Sequence, residues 1–181
     1  VSNQCVIGQG YDTSFQSVKS MSLFIESDED LEKYGFPGDG TSDSPYLIEQ
    51  YDITSQGLYG IYIKNITKNV IIQNCSIEMQ TFGKSWAIYL TNIASTIYIK
   101  NCKITSGTVA GIYLAYVNFS KIENNEIMHQ PNSNIGIWVK DTNAVITQNT
   151  ITEHFWGLRI HNSDFKIEIM NNTIEKNYQF G

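Results

Sequence analysis

Aromatic side chains and one arginine recur along this chain at intervals of about 24 residues. Each follows a small residue and an apolar residue in a repeated segment, and the set is Tyr62, Tyr89, Tyr113, Trp138 and Arg159. Alternation with period two predicts that these side chains point outward from a strand while their neighbours point inward. Flat rings bind the apolar faces of sugars well, so this column predicts a platform for a polysaccharide or other glycan.

Two further tryptophans, Trp86 and Trp156, lie at the ends of variable loops that lead into the same segments. We expect them to flank the column and turn it into a groove. A glycan platform predicts rings that are substantially exposed and roughly coplanar along the stack. Two other interpretations stay open: a ladder that only stabilises the sheet, and a contact surface for another protein chain.

The next outward position of each repeat carries mostly polar or basic side chains, namely Lys64, Thr91, Ala115, Lys140 and His161. Neither outward column contains Asp or Glu, whereas a glycosidase needs two carboxylates about 5–10 Å apart. A lyase that uses Arg159 or Lys140, with His161 as the base, remains an alternative. The three histidines, His129, His154 and His161, show no metal-ligand spacing, and each is interpreted as a surface residue. We assign no catalytic residue, metal ligand or cofactor.

The elements that position these residues come from an internal repeat. The pattern Ile-x-Asn-(Asn or Cys)-x-Ile, with one looser copy at the start, recurs with closing isoleucines at positions 53, 77, 104, 127, 151 and 174. A second landmark precedes each copy, in segments such as Gly60-Ile61-Tyr62-Ile63 and Gly136-Ile137-Trp138-Val139. One coil therefore contains a small residue, an alternating strand, a turn, a second strand, an Asn corner and a short third strand.

Such a coil cannot bury its apolar edge alone, so neighbouring coils must stack one strand spacing apart. The sequence predicts an all-β protein, a right-handed single-stranded parallel β-helix of about 5–6 coils. Its interior should contain one column of Ile61, Ile88, Ile112, Ile137 and Leu158. The corner asparagines should adopt left-handed backbone angles, and stacked amides should hydrogen-bond along the axis.

Cys75 and Cys102 occupy equivalent positions on adjacent coils. Their Cα atoms should lie about 5 Å apart, within reach of a disulfide, although parallel side chains make the torsion awkward. Stacked free thiols and a bonded pair both remain open. Cys5 has no partner in this scheme.

An open end of a β-helix needs a cover. Residues 27–35 predict a short N-terminal helical cap, with Ser27 as the N-cap, Asp30 three residues later and Gly35 as the stop. Asp39 and Asp43 in the following turn-rich stretch could bind calcium or simply form an Asp-Gly turn. We expect residues 1–45 to form the cap and leader and residues 46–181 the repeats. No cap is recognised at the C-terminal coil.

Composition excludes some classes of partner. The 181 residues carry 12 basic and 18 acidic side chains, a formal charge of −6, and no basic patch indicates nucleic-acid binding. No apolar stretch is long enough to insert into a membrane, and no signal peptide is visible.

The repeats resemble those of the NosD-like group, also described as carbohydrate-binding and sugar-hydrolysis (CASH) domains. The leader from Gly38-Asp39-Gly40-Thr41 to Ser44-Pro45-Tyr46 is similar to one found before such repeats in archaeal surface proteins. The resemblance covers about residues 20–181 and implies a β-helix found in periplasmic accessory proteins, cell-surface proteins and polysaccharide-active enzymes. The paired aspartates and Gly-His-Gly of polygalacturonase-like enzymes are absent.

These observations together predict a non-catalytic module, extracellular or at the cell surface, that binds glycan or mediates surface contacts. The alternatives are a polysaccharide lyase or hydrolase that uses the same groove, and an architectural spacer or assembly domain. Other protein chains could bind through the aromatic face or the uncapped C-terminal coil.

Overall fold

A computed structural model describes residues 18–20, 22–81, 83–105, 108–128, 134–161 and 164–178. These residues form a right-handed parallel β-helix of about five turns with a single short helix, which confirms the predicted fold. The elements, in chain order, are β1 (Val18–Ser20), β2 (Leu23–Ile25), α1 (Asp28–Tyr34), β3 (Tyr46–Glu49), β4 (Tyr51–Ser55), β5 (Tyr59–Lys64), β6 (Val70–Gln73), β7 (Ser76–Met79), β8 (Trp86–Lys100), β9 (Lys103–Thr105), β10 (Ala110–Glu123), β11 (Glu126–Met128), β12 (Ile135–Lys140), β13 (Asn143–Thr147), β14 (Thr150–Thr152), β15 (Trp156–His161), β16 (Ile167–Met170) and β17 (Thr173–Glu175).

The strands build three parallel faces around one core. The first face consists of β2, β5, β8, β10, β12 and β15, and the third face of β1, β4, β7, β9, β11, β14 and β17. The second face contains β3, β6, β13 and β16 together with the later halves of β8 and β10. β8 and β10 are long because each continues around a corner and so belongs to two faces.

The interior consists of vertical columns of aliphatic side chains. Pairing between strands places the predicted residues Ile61, Ile88, Ile112, Ile137 and Leu158 in successive register, and all five are buried. Leu23 of β2 precedes Ile61 in the same column. Each coil thus contributes one slice of the core, and burial of these slices is the main favourable term in folding.

The corner before the third face has the backbone conformation that the repeat predicts. Its residues all have φ between 53° and 60°, and they are Gln50, Asn74, Asn101, Asn124, Gln148 and Asn171. This left-handed region is unfavourable for most side chains and least so for Asn. The frequent asparagine at this position is therefore explained by backbone geometry.

The residue after this corner forms a buried hydrogen-bonded ladder. The Nδ2 group of Asn125 donates to Oδ1 of Asn149 at 2.9 Å, and Nδ2 of Asn149 donates to Oδ1 of Asn172 at 2.9 Å. The same Oδ1 atoms accept the backbone N–H groups of the preceding coil, from Asn125 to Asn149 and from Asn149 to Asn172. Each buried amide is thereby paired along the axis, as predicted.

Cys75 and Cys102 occupy the earlier positions of this ladder, and both are free and buried. Each thiol lies close to a carbonyl oxygen two residues back, Cys75 Sγ 3.3 Å from Gln73 O and Cys102 Sγ 3.3 Å from Lys100 O. Asn149 Nδ2 donates to the equivalent carbonyl of Thr147. The cysteines therefore take over part of the role of asparagine as stacked thiols. Cys5 lies outside the described residues.

The N-terminal end of the stack is covered by α1 and the segment after it. Leu31 and Phe36 are buried there, and Gly35 ends the helix in the left-handed region with φ 69°. Ser27 occupies the N-cap position but makes no cap hydrogen bond, and the Asp30 carboxylate instead accepts the backbone N–H of Glu26. No helix in the described part of the chain is long and apolar enough to cross a membrane.

The stack begins earlier than the boundary predicted at residue 46. β1 pairs with β4, and β2 pairs with β5, so strands from the predicted cap and leader (1–45) belong to the β-helix itself. In the same segment, Asp39 forms the Asp-Gly turn, since its Oδ1 accepts the backbone N–H of Thr41 at 2.9 Å.

At the other end, the interior columns finish in exposed side chains. Ile160 is 38% exposed, Ile169 45% and Ile174 38%, whereas the equivalent residues of the preceding coil are buried. Within the described residues, β15, β16 and β17 each pair with a strand on one side only.

This difference yields a matched test of the core. Ile137→Ala should lower the free energy of unfolding by about 2–5 kcal/mol, because the residue is fully buried and the change leaves a cavity. Ile169→Ala removes the same atoms at an exposed site and should cost less than about 1 kcal/mol. Urea unfolding followed by circular dichroism measures both, and equal losses would contradict the assignment of the core.

Candidate functional site

The outward column of the first face lies in the predicted register. Tyr62 pairs with Tyr89, Tyr89 with Tyr113, Tyr113 with Trp138, and Trp138 with Arg159. One side chain from each coil therefore lies directly above the next. We call this column, together with Phe24 and Tyr59, the aromatic ladder.

Two members of the ladder, Phe24 and Tyr59, were not predicted from the sequence. Phe24 in β2 precedes Tyr62 in the column and is 49% exposed. Tyr59 pairs with Trp86, and its ring is 4.6 Å from that of Tyr62. Alignment of Tyr59-Gly60-Ile61-Tyr62 with Trp86-Ala87-Ile88-Tyr89 could have identified Tyr59. Phe24 has a weaker signal, an alternating Leu-Phe-Ile that is preceded by Ser22 rather than by Gly or Ala.

The tyrosine rings cover one another. Tyr62 and Tyr89 lie 5.4 Å apart, centroid to centroid, with planes 22° apart, and Tyr89 and Tyr113 lie 4.8 Å and 30° apart. Rings lying edge to edge in one plane cannot approach this closely, so these rings overlap with an offset. The prediction of substantially exposed, coplanar rings is wrong, because each half-buried ring uses part of its face against its neighbour. Burial accordingly raises the pKa of the Tyr89 and Tyr113 phenols.

The ladder changes its geometry at its C-terminal end. Trp138 lies 5.0 Å from Tyr113 at an angle of 74°, so an edge meets a face. The Arg159 guanidinium carbon lies 4.8 Å from the ring centroid of Trp138 and 5.1 Å from that of Trp156. Trp156 thus joins the ladder through Arg159, whereas Trp86 contacts Tyr89 directly at 5.5 Å. Trp156 and Arg159 also border an apolar groove of about 410 Å³ at the end of the stack.

Glycine fixes the entry to two of these strands. A Cβ atom on Gly136 would lie 2.4 Å from Cγ2 of Ile151, and one on Gly157 would lie 2.4 Å from Cγ2 of Ile174. The backbone therefore passes directly over the isoleucines of the third face. A larger residue would displace the strands that carry Trp138 and Arg159.

Polar side chains run beside the ladder. Lys64 forms an ion pair with Glu26 at 2.7 Å, and the hydrogen bonds that its ammonium group donates to that carboxylate and to Tyr62 raise the pKa of the lysine. Lys140 lies over the Tyr116 ring at 5.2 Å and is in register with the exposed His161. Tyr116 itself has φ 57°, an uncommon conformation for a bulky residue, and is 51% exposed.

One of the three histidines differs from its predicted surface position. His154 is fully buried, because the turn that precedes Trp156 packs under Gly136. The backbone N–H of His154 donates to Asn177 Oδ1 at 2.8 Å. His161 is exposed as expected, and His129 lies outside the described residues.

Carboxylates are scarce on the ladder. Among the described residues of its two outward columns, Glu26 is the single acidic side chain, and it is paired with Lys64. Glu78 lies outside these columns, in β7 on the third face. The described residues contain no cluster of three or more His, Cys, Asp or Glu suited to hold a metal ion.

The tyrosine hydroxyls and the indole N–H groups of this face differ in their access to hydrogen-bond partners. Tyr89 and Tyr113 hydroxyls hydrogen-bond to no other described residue, so they can donate to a ligand or to water. The indole N–H groups of Trp86 and Trp138 are buried and lack a hydrogen-bond acceptor among the described residues. Each indole lies at a steep angle to a tyrosine ring, which suits a weak N–H···π contact.

The comparisons with known proteins support the architecture. A family model described as a right handed beta helix region matches residues 14–178. No curated protein and no solved structure matches the chain.

The contacts of Tyr89 predict a stability effect. Its ring meets those of Tyr59, Tyr62, Trp86 and Tyr113, so Tyr89→Ala should lower the free energy of unfolding by about 2–4 kcal/mol. Tyr89→Phe keeps the ring and should change the free energy of unfolding by less than about 0.5 kcal/mol. Thermal and urea unfolding check both values. A negligible loss for the alanine variant would show that the rings do not pack in solution as described.

Proposed function

This chain belongs to the right-handed β-helix family, and we propose that it is a non-catalytic module that binds glycan along the aromatic ladder. The fold alone does not select a function, so the proposal rests on the site. On the resemblance of its repeats, we also propose that the chain is a member of the NosD-like, or CASH, group.

The observation that carries the proposal is the continuous contact of rings across successive coils of one face. Successive rings along this face are about one strand spacing apart. They present their edges, parts of their faces and the free hydroxyls of Tyr89 and Tyr113. That spacing is close to the length of one sugar unit in an extended chain, so successive rungs can meet successive sugars. Aromatic carbon supports the apolar side of a sugar, and phenolic hydroxyls can bond its oxygens.

The proposed location follows from the proposed ligand. Extended polysaccharides are found mainly outside cells, in walls and matrices, so we place the protein in the extracellular space or at the cell surface. Its net charge of −6 disfavours nucleic acid as the competing polyanion.

Binding without catalysis is favoured by the scarcity of carboxylates on the ladder. A hydrolase needs an acid and a second carboxylate close together. The described columns offer Glu26 alone, held by Lys64. A lyase based on Arg159, Lys140 or His161 is the alternative, and shortening of the bound polysaccharide during the binding experiment below would favour it.

Binding through the ladder predicts a loss without unfolding. The double variant Tyr89→Phe/Tyr113→Phe keeps every ring and removes two hydroxyls, so its affinity should fall about tenfold while its thermal midpoint stays unchanged. Retention of the protein is measured by pull-down with cellulose, xylan, chitin and mannan, and by electrophoresis in gels that contain their soluble forms. Tyr98→Phe on the second face, with an exposed ring, is the matched control and should bind like the wild type.

No retention of the wild type by any polysaccharide would overturn the proposal. If the double variant and the Tyr98→Phe control are retained equally well, the binding site does not lie on the ladder.

A further inference from the structure

Arg159 is the chain's single arginine, and it is the last described rung of the ladder. Its guanidinium contacts two indole rings, 4.8 Å from Trp138 and 5.1 Å from Trp156. These contacts restrict an otherwise flexible side chain. The group is therefore held in place before any ligand arrives, which reduces the entropy lost on binding.

The donors of this guanidinium remain available. A cation–π contact uses the ring face and consumes none of the five N–H groups. Arg159 has no carboxylate within 4.0 Å and donates no hydrogen bond to any other residue in the described ranges. A planar fork with free donors matches the two oxygens of a carboxylate or sulfate.

A second cation, Lys140, lies on the coil next to that of Arg159. Lys140 belongs to β12, the strand that pairs with the Arg159 strand, and it too lacks an ion-pair partner among the described residues. By contrast, Lys64 at the other end of the face is neutralised by Glu26. Lys140 and Arg159 are thus two cations without a carboxylate partner among the described residues, and they lie on adjacent strands of the first face.

We propose that Arg159 and Lys140 form an anion-binding subsite that takes a carboxylate or sulfate substituent of the bound glycan. This inference rests on the proposed function and names its ligand class: an acidic polysaccharide whose sugar ring meets the ladder while its charged group pairs with Arg159. His161, which is exposed and in register with Lys140, lies on the same strand as Arg159.

Three soluble forms of one glucan test the subsite in affinity gels: hydroxyethyl cellulose, carboxymethyl cellulose and cellulose sulfate. The wild type should bind at least one charged form about tenfold more tightly than the neutral form, and the preferred form distinguishes carboxylate from sulfate. Arg159→Gln should abolish this preference, so that the variant retains the charged and the neutral forms to the same extent. Arg159→Lys keeps the charge without the fork and should retain only part of the preference.

Lys140→Gln provides a second variant should Arg159→Gln prove unstable, and it should also reduce the preference. Lys103→Gln on the third face removes an equal charge from an exposed site and should leave the preference intact. Equal binding of the neutral and charged forms by the wild type overturns the subsite while the proposed function stands. Failure to bind any of the three forms also overturns the subsite, and the polysaccharide pull-down then decides the proposed function separately.

Discussion

Parallel pairing of each strand with its equivalent on the next coil is the constraint from which the rest of this structure follows. It places identical positions of the repeat one strand spacing apart, so whatever residue type recurs becomes a column. Isoleucines become the core, and the residues after the Asn corner become the buried amide ladder of Asn125, Asn149 and Asn172. Outward aromatic residues become the ladder of the first face by the same rule. A single geometric relation thus produces stability inside and a candidate binding surface outside.

The aromatic ladder shows how a structural and a functional role can share the same atoms. The rings of Tyr62, Tyr89 and Tyr113 support one another through offset contacts, which rigidifies the surface. A rigid surface loses little entropy when it binds a ligand. The cost is that faces used between rings are unavailable to sugar, so binding must rely on ring edges, hydroxyls and the terminal cation. This division explains why removal of a ring and removal of a hydroxyl are expected to have different consequences.

The sequence predicts the repeat, the register and the outward column because period and strand pairing are properties of the backbone pattern. The left-handed corner could be predicted from Asn74 and Asn101 for the same reason. The first coil was harder to recognise, since β2 is three residues long and lacks the Asn corner, and Phe24 was missed with it. The overlap of rings could not be predicted, because ring orientation depends on how neighbouring side chains fill space. Burial of His154 has a similar origin, as it follows from the close passage of the chain at Gly136.

All three tryptophans of the chain lie in or beside the ladder, so their indole N–H signals report on this face directly. A nuclear magnetic resonance titration with a soluble polysaccharide that the protein retains is therefore the most direct test of the central claim, which is that ligand binds along the ladder. The account predicts progressive, saturable shifts of the Trp138 and Trp156 signals, assigned with Trp→Phe variants. Saturable binding that leaves all three indole signals in place would contradict it.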